Sequence, residues 1–508
     1  MLNWVFTYFA KTWLVLIGIA GCAQLVSAQN MGDYETLRRE IGEAYSQLTV
    51  MGDDVVHPSD VAHVFVPYLQ QADDYSAPAI IGARLEDQSV EIDLVDLRII
   101  IAQLALASGS NNQLPIVLAH SGVATQVIVV KNGHATLSDV RNWIETQTNS
   151  SDLLQGDTLM VPLVVLQDAT FLFEPGDNLW LNTESRAFIA NLGVLLGDGF
   201  TLSATESENL DDTEFAPFIA TMGVGQVRIA NAVFEGLGFG ETAAYAGFSV
   251  VNSGLYAPLG QSVVVNSVFR NTGGVVIEGS ETPLVRGNFL FGGLENGLTF
   301  RNTTEASVVG NTIVSPKGSV ALRITDGAIQ STLSENLVMG AENVGILVTR
   351  GSNRTTVSEN LIWGAGGGGI LLTNSDCITL ASNQMIDNSG KGLEVRTSRN
   401  TIVIANQLLG NGSAGLFIGS QPNPTKTLVR DNVFTANRVG LSTVTASNLA
   451  LSGNNFLNQF PRFLEGDLAT EAEKIMEDLR GSHPIELVAG GVEGLSLAPP
   501  TCPSWTES

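Results

Sequence analysis

The segment from Gly310 to Gly340, GNTIVSPKGSVALRITDGAIQSTLSENLVMG, contains the pattern that decides the fold. Asn311 introduces a short apolar run, a second apolar run follows a glycine, and Asn336 begins the same pattern again 25 residues later. Asparagines recur in this way at intervals of 22 to 26 residues, at Asn266, Asn288, Asn311, Asn336, Asn360, Asn383, Asn406, Asn432 and Asn454. Two short strands in each such interval are typical of a stacked solenoid.

The apolar runs are too short for a helical repeat, which needs a long stripe with a period of 3.6 residues. They are rich in Val and Ile and are bounded by Gly, Asn and Ser. The sequence therefore predicts an all-β fold, a right-handed parallel β-helix with coils of about 22–26 residues, a mixed α/β N-terminal cap and a C-terminal helical cap. We expect the asparagines to be structural, with their amides bonded to one another along the stack.

Four regions follow from this pattern, namely a signal peptide at 1–28, an N-terminal cap region at 29–155, the β-helix at 156–460, and a C-terminal cap and tail at 461–508. Helical patterns within the caps lie at Tyr34–Leu48, Leu94–Ala107, Leu137–Thr146 and Thr470–Leu479. Caps are expected because an uncovered terminal coil would expose strand edges and apolar core.

The first residues resemble an export signal, with Lys11 ahead of the apolar run at 13–19. Two cleavage sites stay open. One is a lipobox that ends at Cys22, which would then be acylated, and the other is a small-residue site that ends at Ala28. We therefore expect a periplasmic protein or an outer-membrane-anchored lipoprotein of a Gram-negative bacterium, with a membrane tether if Cys22 is lipidated.

The formal net charge of −26 is unevenly distributed. Residues 266–430 contain 12 Lys or Arg against 11 Asp or Glu, so the acidic excess lies in the flanking regions. No basic stripe interleaved with aromatic residues is present, which argues against a nucleic-acid partner. A nearly neutral repeat region is compatible with a polyanionic partner, which a uniformly acidic solenoid would repel.

The cysteine content is low, with Cys22, Cys377 and Cys502 only. Cys377 and Cys502 are so far apart in the sequence that we do not expect them to pair, and we expect Cys377 to be a small core residue. The sequence has no Cys-x-x-Cys motif and no His-rich spacing, so we predict neither a metal site nor a cofactor.

Several segments resemble the periplasmic mannuronan C5-epimerases of alginate-producing bacteria, over roughly residues 120 to 420. They are Phe188–Gly193, Phe215–Asn231, Phe234–Phe239, Ala244–Val250 and Leu284–Asn288. This resemblance implies removal of the C5 proton of a mannuronate residue in a polymer and its return to the opposite face. Such chemistry requires a base and a cation that neutralises the adjacent carboxylate.

The resemblance also shows a departure from the family. Its members carry an Asp-Pro-His-Asp motif in which the histidine is the base, and Thr299, Phe300, Arg301 and Asn302 stand at the matching positions here. No histidine occurs between Ala135 and Ser482, so the repeats cannot supply a histidine base.

Arginines take the place of the missing motif. Arg301, Arg323 and Arg350 lie on successive repeats at nearly equivalent offsets from the glycine position, and Arg396 follows two repeats later. Arg323 best matches the neutralising arginine of the family. We predict Arg301 and Arg323 as catalytic residues, and as substrate-binding residues Glu278, Asn302, Arg350 and Arg396. The alternative is that these are ordinary solvated charges, paired with Glu278, Glu305 and Asp326.

Two functions stay open from the sequence. The first is an epimerase or lyase relative that acts on a polyuronate and uses Arg301, Tyr245 or Tyr256 in place of histidine. The second is a catalytically inactive relative that binds or guides an anionic exopolysaccharide during export, as a monomer and together with other export proteins. A scaffold for protein partners is a third possibility. A hydrolase or a calcium-dependent lyase is disfavoured because the aspartates of the repeats are scattered.

Overall fold

The computed structural model describes residues 31–65, 89–107, 114–120, 126–206, 215–239, 242–252, 258–293, 297–423, 425–446, 448–487 and 497–502. The predicted signal peptide and Cys22 lie outside these residues. Among the described residues, no helix is long and apolar enough to cross a membrane.

The chain forms a parallel β-solenoid of about 12 coils, which confirms the predicted fold class. Each regular coil contains three short strands rather than the two expected, so the strands form three stacks that we name stack 1, stack 2 and stack 3. Stacks 1 and 2 belong to one 27-stranded sheet, and stack 3 belongs to a 14-stranded sheet. The strands within each stack pair in parallel, coil on coil, as in Val275–Glu278 beside Leu298–Arg301.

Stack 1 consists of Leu163–Phe173, Ile189–Asn191, Ile219–Met222, Phe248–Val251, Val275–Glu278, Leu298–Arg301, Val320–Thr325, Val344–Val348, Gly368–Thr373, Lys391–Arg396, Ala414–Gly419, Val439–Val444 and Arg462–Gly466. Stack 2 consists of Val194–Asp198, Gln226–Ala230, Val263–Val265, Leu284–Arg286, Ser307–Val309, Thr332–Ser334, Thr356–Ser358, Thr379–Ala381, Thr401–Ile404, Thr427–Arg430 and Leu449–Ser452. Stack 3 consists of Asn178–Leu181, Thr201–Ala204, Val233–Glu235, Val268–Arg270, Phe289–Phe291, Thr312–Val314, Leu337–Met339, Leu361–Trp363, Gln384–Ile386, Gln407–Leu409, Val433–Thr435 and Asn455–Asn458.

A continuous apolar core fills the solenoid, because inward-facing side chains of successive coils lie above one another. Phe173 and Phe200 stack with ring centroids 4.3 Å apart, and Phe434 and Phe456 stack at 4.5 Å. One coil alone cannot bury such side chains, so each coil depends on its neighbours for its stability.

The asparagine ladder is present and buried. Each side-chain amide donates to the side-chain oxygen of the asparagine one coil further on, from Asn288 through to Asn454, with N···O distances of 2.9 to 3.0 Å. The prediction was wrong for Asn266. The strand register aligns Val268 with Phe289, so Ser267 stands opposite Asn288 and its backbone amide donates to the Asn288 side chain.

Seven helices lie outside or at the ends of the coils among the described residues: α1 (Met31–Met51), α2 (Ser59–Phe65), α3 (Leu97–Ala107), α4 (Leu114–Ala119), α5 (Leu137–Glu145), α6 (Ser150–Leu153) and α7 (Ala472–Glu477). Helix α5 begins with a capping box between Thr136 and Asp139 and packs its apolar face on the first coils. At the other end, α7 packs Ile475 on the core, and the strand Ile485–Leu487 pairs antiparallel with Leu449–Ser452.

Helix α1 lies along the side of the solenoid, where its apolar stripe packs on the outward face of stack 3. Tyr34 donates to Asp387 at 2.6 Å, and the Tyr45 hydroxyl lies 2.9 Å from that of Ser315. Eleven helical residues, about 16 Å, separate the two tyrosines. Three coil steps, about 14 Å, separate their partners, so the helix runs nearly parallel to the solenoid axis.

Helix α3 covers the outward face of the first strands of stack 1. It begins at Leu97, three residues later than expected, because Glu91–Asp96 forms a strand that pairs antiparallel with Gln126–Thr136. The helix packs in an apolar cluster that includes the buried ring of Tyr245.

A disulfide bond joins Cys377 and Cys502, and the expectation that they do not pair was wrong. Cys377 is a partly buried turn residue with φ 62°, so it is not a core residue. The C-terminal tail returns along the solenoid, where its Thr501 carbonyl accepts from Asn400 at 3.4 Å. Sequence separation says nothing of spatial distance in a chain whose end folds back.

Candidate functional site

The predicted arginines lie on the outward face of stack 1, just beyond the part that α3 and its cluster cover. Arg301 is the last residue of its strand and is aligned with Glu278 on the preceding coil. Arg323 is aligned with Thr299, two residues before Arg301. Arg350 is not in a strand but in the following turn, at φ 54°. The three side chains therefore occupy different positions relative to their strands and do not form the single column that the sequence indicated.

These offsets still bring the three positive charges close together. The pKa of Arg323 is lowered, first by burial of its guanidinium and then by the charges of Arg301 and Arg350, while Asp326 opposes this effect. Like charges at short range repel one another, and the repulsion is stronger where water is partly excluded. This group, named the arginine cluster below, is Arg301, Arg323 and Arg350.

The cluster is only partly neutralised by the protein. Arg350 pairs with Asp326 at 3.1 Å, and the Arg323 side chain donates to the Ser319 hydroxyl at 3.0 Å. Within the described residues, Arg301 has no hydrogen-bond or ion-pair partner, and the Nε atoms of Arg301 and Arg323 are buried without an acceptor. Two guanidinium groups thus lack a carboxylate partner in the described part of the chain.

Asn302 lies one residue beyond Arg301, in the same turn column as Asp326 and Arg350. The three residues have φ values of 48° to 55°, a left-handed conformation that asparagine and aspartate tolerate well. Asn302 is exposed beside the cluster.

Arg396 lies further along the solenoid, apart from the arginine cluster. It ends the strand Lys391–Arg396, bonds the Glu394 carboxylate and lies over the Phe417 ring, with 4.9 Å from guanidinium carbon to ring centroid. Lys391 pairs with the same carboxylate at 2.9 Å and lies over the same ring at 4.5 Å. We name Lys391, Glu394, Arg396 and Phe417 the distal cluster.

Several residues of this face were not predicted from the sequence. Leu347 and Leu371 separate the two clusters on successive coils and are partly exposed, and Thr299 and Ser319 flank Arg323. The available signal was weak, because an outward leucine in a strand of five or six residues is hard to tell from an inward one without the register.

Of the substitutes predicted for a histidine base, Arg301 lies on this face and Tyr245 does not. Tyr245 is 1% exposed and packs between Phe218 and Phe239, so it cannot contact a polymer. Tyr256 lies outside the described residues. His120 is buried, with each ring nitrogen 2.9 Å from a backbone carbonyl, and burial lowers its pKa.

Comparison with known proteins identifies a family. The model described as periplasmic copper-binding protein (NosD) matches residues 182–365 and 350–463, which together span more than half of the chain. The chain belongs to this NosD family. No curated protein matches it.

Among solved structures, that of the periplasmic alginate epimerase AlgG is similar to this NosD-family protein. That structure has a TM-score of 0.60 at 18% identity, over 77% of this chain and 96% of the other. A single-residue variant of AlgG gives 0.59 at 18% identity, over 75% of this chain and 93% of the other. The predicted resemblance to periplasmic mannuronan epimerases is thereby confirmed at the level of the fold.

Proposed function

We propose that this NosD-family chain is an exported protein that binds an anionic polysaccharide through the arginine cluster. The observation that carries the proposal is the presence of two neighbouring guanidinium groups, those of Arg301 and Arg323, with no carboxylate bonded to them among the described residues. A uronate carboxylate would supply the missing acceptor, since guanidinium binds carboxylate in a planar two-point fork.

Position and surroundings support the same ligand class. The cluster lies on an open strand face next to the partly exposed Leu347, which offers an apolar contact for a sugar ring. AlgG, whose fold this chain shares, is by its description an alginate epimerase of the periplasm. The family description also names the periplasm, which supports export through a signal peptide at 1–28. A lipid at Cys22 would tether the protein to a membrane. We propose that the protein acts in the periplasm as a monomer, with other export proteins.

Epimerisation is the second candidate function. One observation favours it, namely the lowered pKa of Arg323, because a guanidinium base must lose its proton. Against it, the face has no histidine, and free guanidinium is almost always protonated. Binding without proton transfer therefore fits the face better.

The family description names copper, a metal that proteins bind through imidazole, thiolate and thioether groups. Among the described residues, no three His, Cys, Asp or Glu side chains converge. Cys377 and Cys502 are joined to each other and offer no thiolate. These residues do not fit a copper site, and the proposal does not include one.

The test combines binding and exchange on the purified mature protein. Polymannuronate binding is measured by titration calorimetry at low and high salt, and deuterium at C5 is followed by NMR in deuterated water. We expect salt-sensitive binding, weakened about tenfold by Arg323→Ala, the effect of one charge-assisted hydrogen bond. The matched control is Arg430→Ala, since Arg430 is exposed and paired with Asp431 on stack 2.

The outcomes separate the candidates. Binding without deuterium incorporation supports the binding function, and incorporation that Arg301→Ala abolishes would establish the epimerase instead. If polymannuronate does not bind, or if Arg430→Ala weakens binding as much as Arg323→Ala does, the proposal is wrong.

A further inference from the structure

The outward face of stack 1 continues from the arginine cluster to the distal cluster in one straight row. The strand register aligns Arg323 with Leu347, Leu347 with Leu371, and Leu371 with Glu394 on successive coils. Three coil steps of about 4.8 Å place the two clusters about 14 Å apart. One pyranose ring is much shorter than this separation.

The distal cluster is ordered and carries a net positive charge. Its single carboxylate, Glu394, accepts from both Lys391 and Arg396, so two cations share one anion. Glu394 is 16% exposed, whereas the Arg396 side chain is 45% exposed, which leaves part of the guanidinium open to solvent. The Phe417 ring lies close over Gly419, where an added Cβ would be 2.6 Å from it, and it supports both cations from below.

The surface between the two clusters suits sugar rings. Leu347 and Leu371 are partly exposed and apolar, and Thr373, two residues after Leu371 on the same strand, is aligned with Arg396. Pyranose rings present apolar C–H groups together with hydroxyl groups, so leucine and threonine side chains complement them. The row thus has cations at both ends and a neutral surface in the middle.

We propose that the arginine cluster and the distal cluster are two anchors of one extended site, which takes an oligomer or polymer of uronate residues and selects it by length. This rests on the proposed function. A ligand long enough to reach both anchors gains from the second contact, because that contact forms within the complex at a high effective concentration. A short ligand occupies only the arginine cluster.

The test is a titration with oligomannuronates of two lengths, a trimer and a hexamer, with a neutral glucose hexamer as the uncharged control. We expect the hexamer to bind about tenfold more tightly than the trimer, the gain from one further charge-assisted hydrogen bond. Arg396→Ala should remove this gain and leave trimer affinity unchanged. Arg323→Ala should weaken both ligands, and the stack 2 control Arg430→Ala should weaken neither.

Each result distinguishes this inference from the proposed function. If trimer and hexamer bind equally and Arg323→Ala weakens both, the function stands and the second anchor is wrong. If Arg396→Ala weakens the trimer as much as the hexamer, length selection is wrong. Absence of binding by either oligomannuronate, or equal binding of the glucose hexamer, overturns both proposals.

Discussion

Replacement of Asn360 by alanine should destabilise the solenoid far more than the removal of so small a side chain suggests. Its side-chain amide donates to Asn383 at 2.9 Å and to the carbonyls of Leu333 and Ser358 at 3.0 Å. Its oxygen accepts from the side chain and the backbone amide of Asn336, at 2.9 and 3.0 Å. Alanine removes all five contacts at a site that is 1% exposed.

The magnitude follows from these contacts. A typical hydrogen bond contributes about 1 kcal/mol net, and a buried group left without a partner costs about 1–3 kcal/mol. We expect Asn360→Ala to lower the free energy of unfolding by about 3–5 kcal/mol, below the full sum because neighbouring groups relax. Urea unfolding followed by tryptophan fluorescence measures this loss.

The matched control is Asn343→Ala, since Asn343 is exposed in the turn before the strand Val344–Val348 and its replacement should change the free energy of unfolding by less than about 0.5 kcal/mol. Hydrogen exchange adds a local measurement, because the Asn336 backbone amide loses its acceptor and should exchange faster. Equal stability of the two variants, or unchanged exchange at Asn336, would show that the ladder does not stabilise the stack.

Three further predictions concern the sides of the solenoid. Gly410→Ala should lower the free energy of unfolding more than Gly364→Ala does. Both glycines have φ near 65°, but a Cβ added at Gly410 would lie 1.9 Å from the Tyr34 hydroxyl, whereas a Cβ added at Gly364 would have no atom within 4 Å. Urea midpoints compare them, and equal losses would contradict the α1 contact. Burial, and after it the hydrogen bond to the Asp387 carboxylate, raises the pKa of Tyr34. The stability that the neutral Tyr34 hydroxyl contributes to the folded state is therefore complete below about pH 10 and is lost as pH rises further. A Tyr34→Phe variant should lose less stability over that range, and identical pH curves would refute this. Reduction of the Cys377–Cys502 bond should cost on the order of 4–5 kcal/mol for a separation of 125 residues, and Cys502→Ser should match reduced wild-type protein in urea.

The repeat could be predicted from sequence because each coil contains the same local signals. The register of an individual residue could not be predicted, as Asn266 shows. In the run VVVNSVF the asparagine lies one position before the ladder, and the strand pairing places Ser267 in the ladder position opposite Asn288. The prediction that Arg301, Arg323 and Arg350 occupy equivalent positions was wrong for a related reason. Stack 1 strands lengthen from four residues at Leu298–Arg301 to six at Val320–Thr325, so counting from a glycine loses the register.

The position of α1 along the solenoid was also not predicted from the sequence, although one sequence feature indicates that stack 3 is covered. Strands of stack 3 such as Phe289–Phe291 and Leu337–Met339 are apolar at all three positions. A strand with one face in water needs apolar residues on the inward face alone, so fully apolar strands indicate that something covers them. The covering element lies more than two hundred residues away in sequence, which no local pattern specifies.

The location of the candidate site follows from where such covers end. On stack 1 the outward positions Met222 and Val251 are apolar, are aligned with each other and lie in the α3 cluster. The next coil places Glu278 in line with Val251, and Arg301 follows it. Charge therefore begins on the coil where the cover stops, as expected if this part of the outward face contacts water or a polar ligand rather than the rest of the chain.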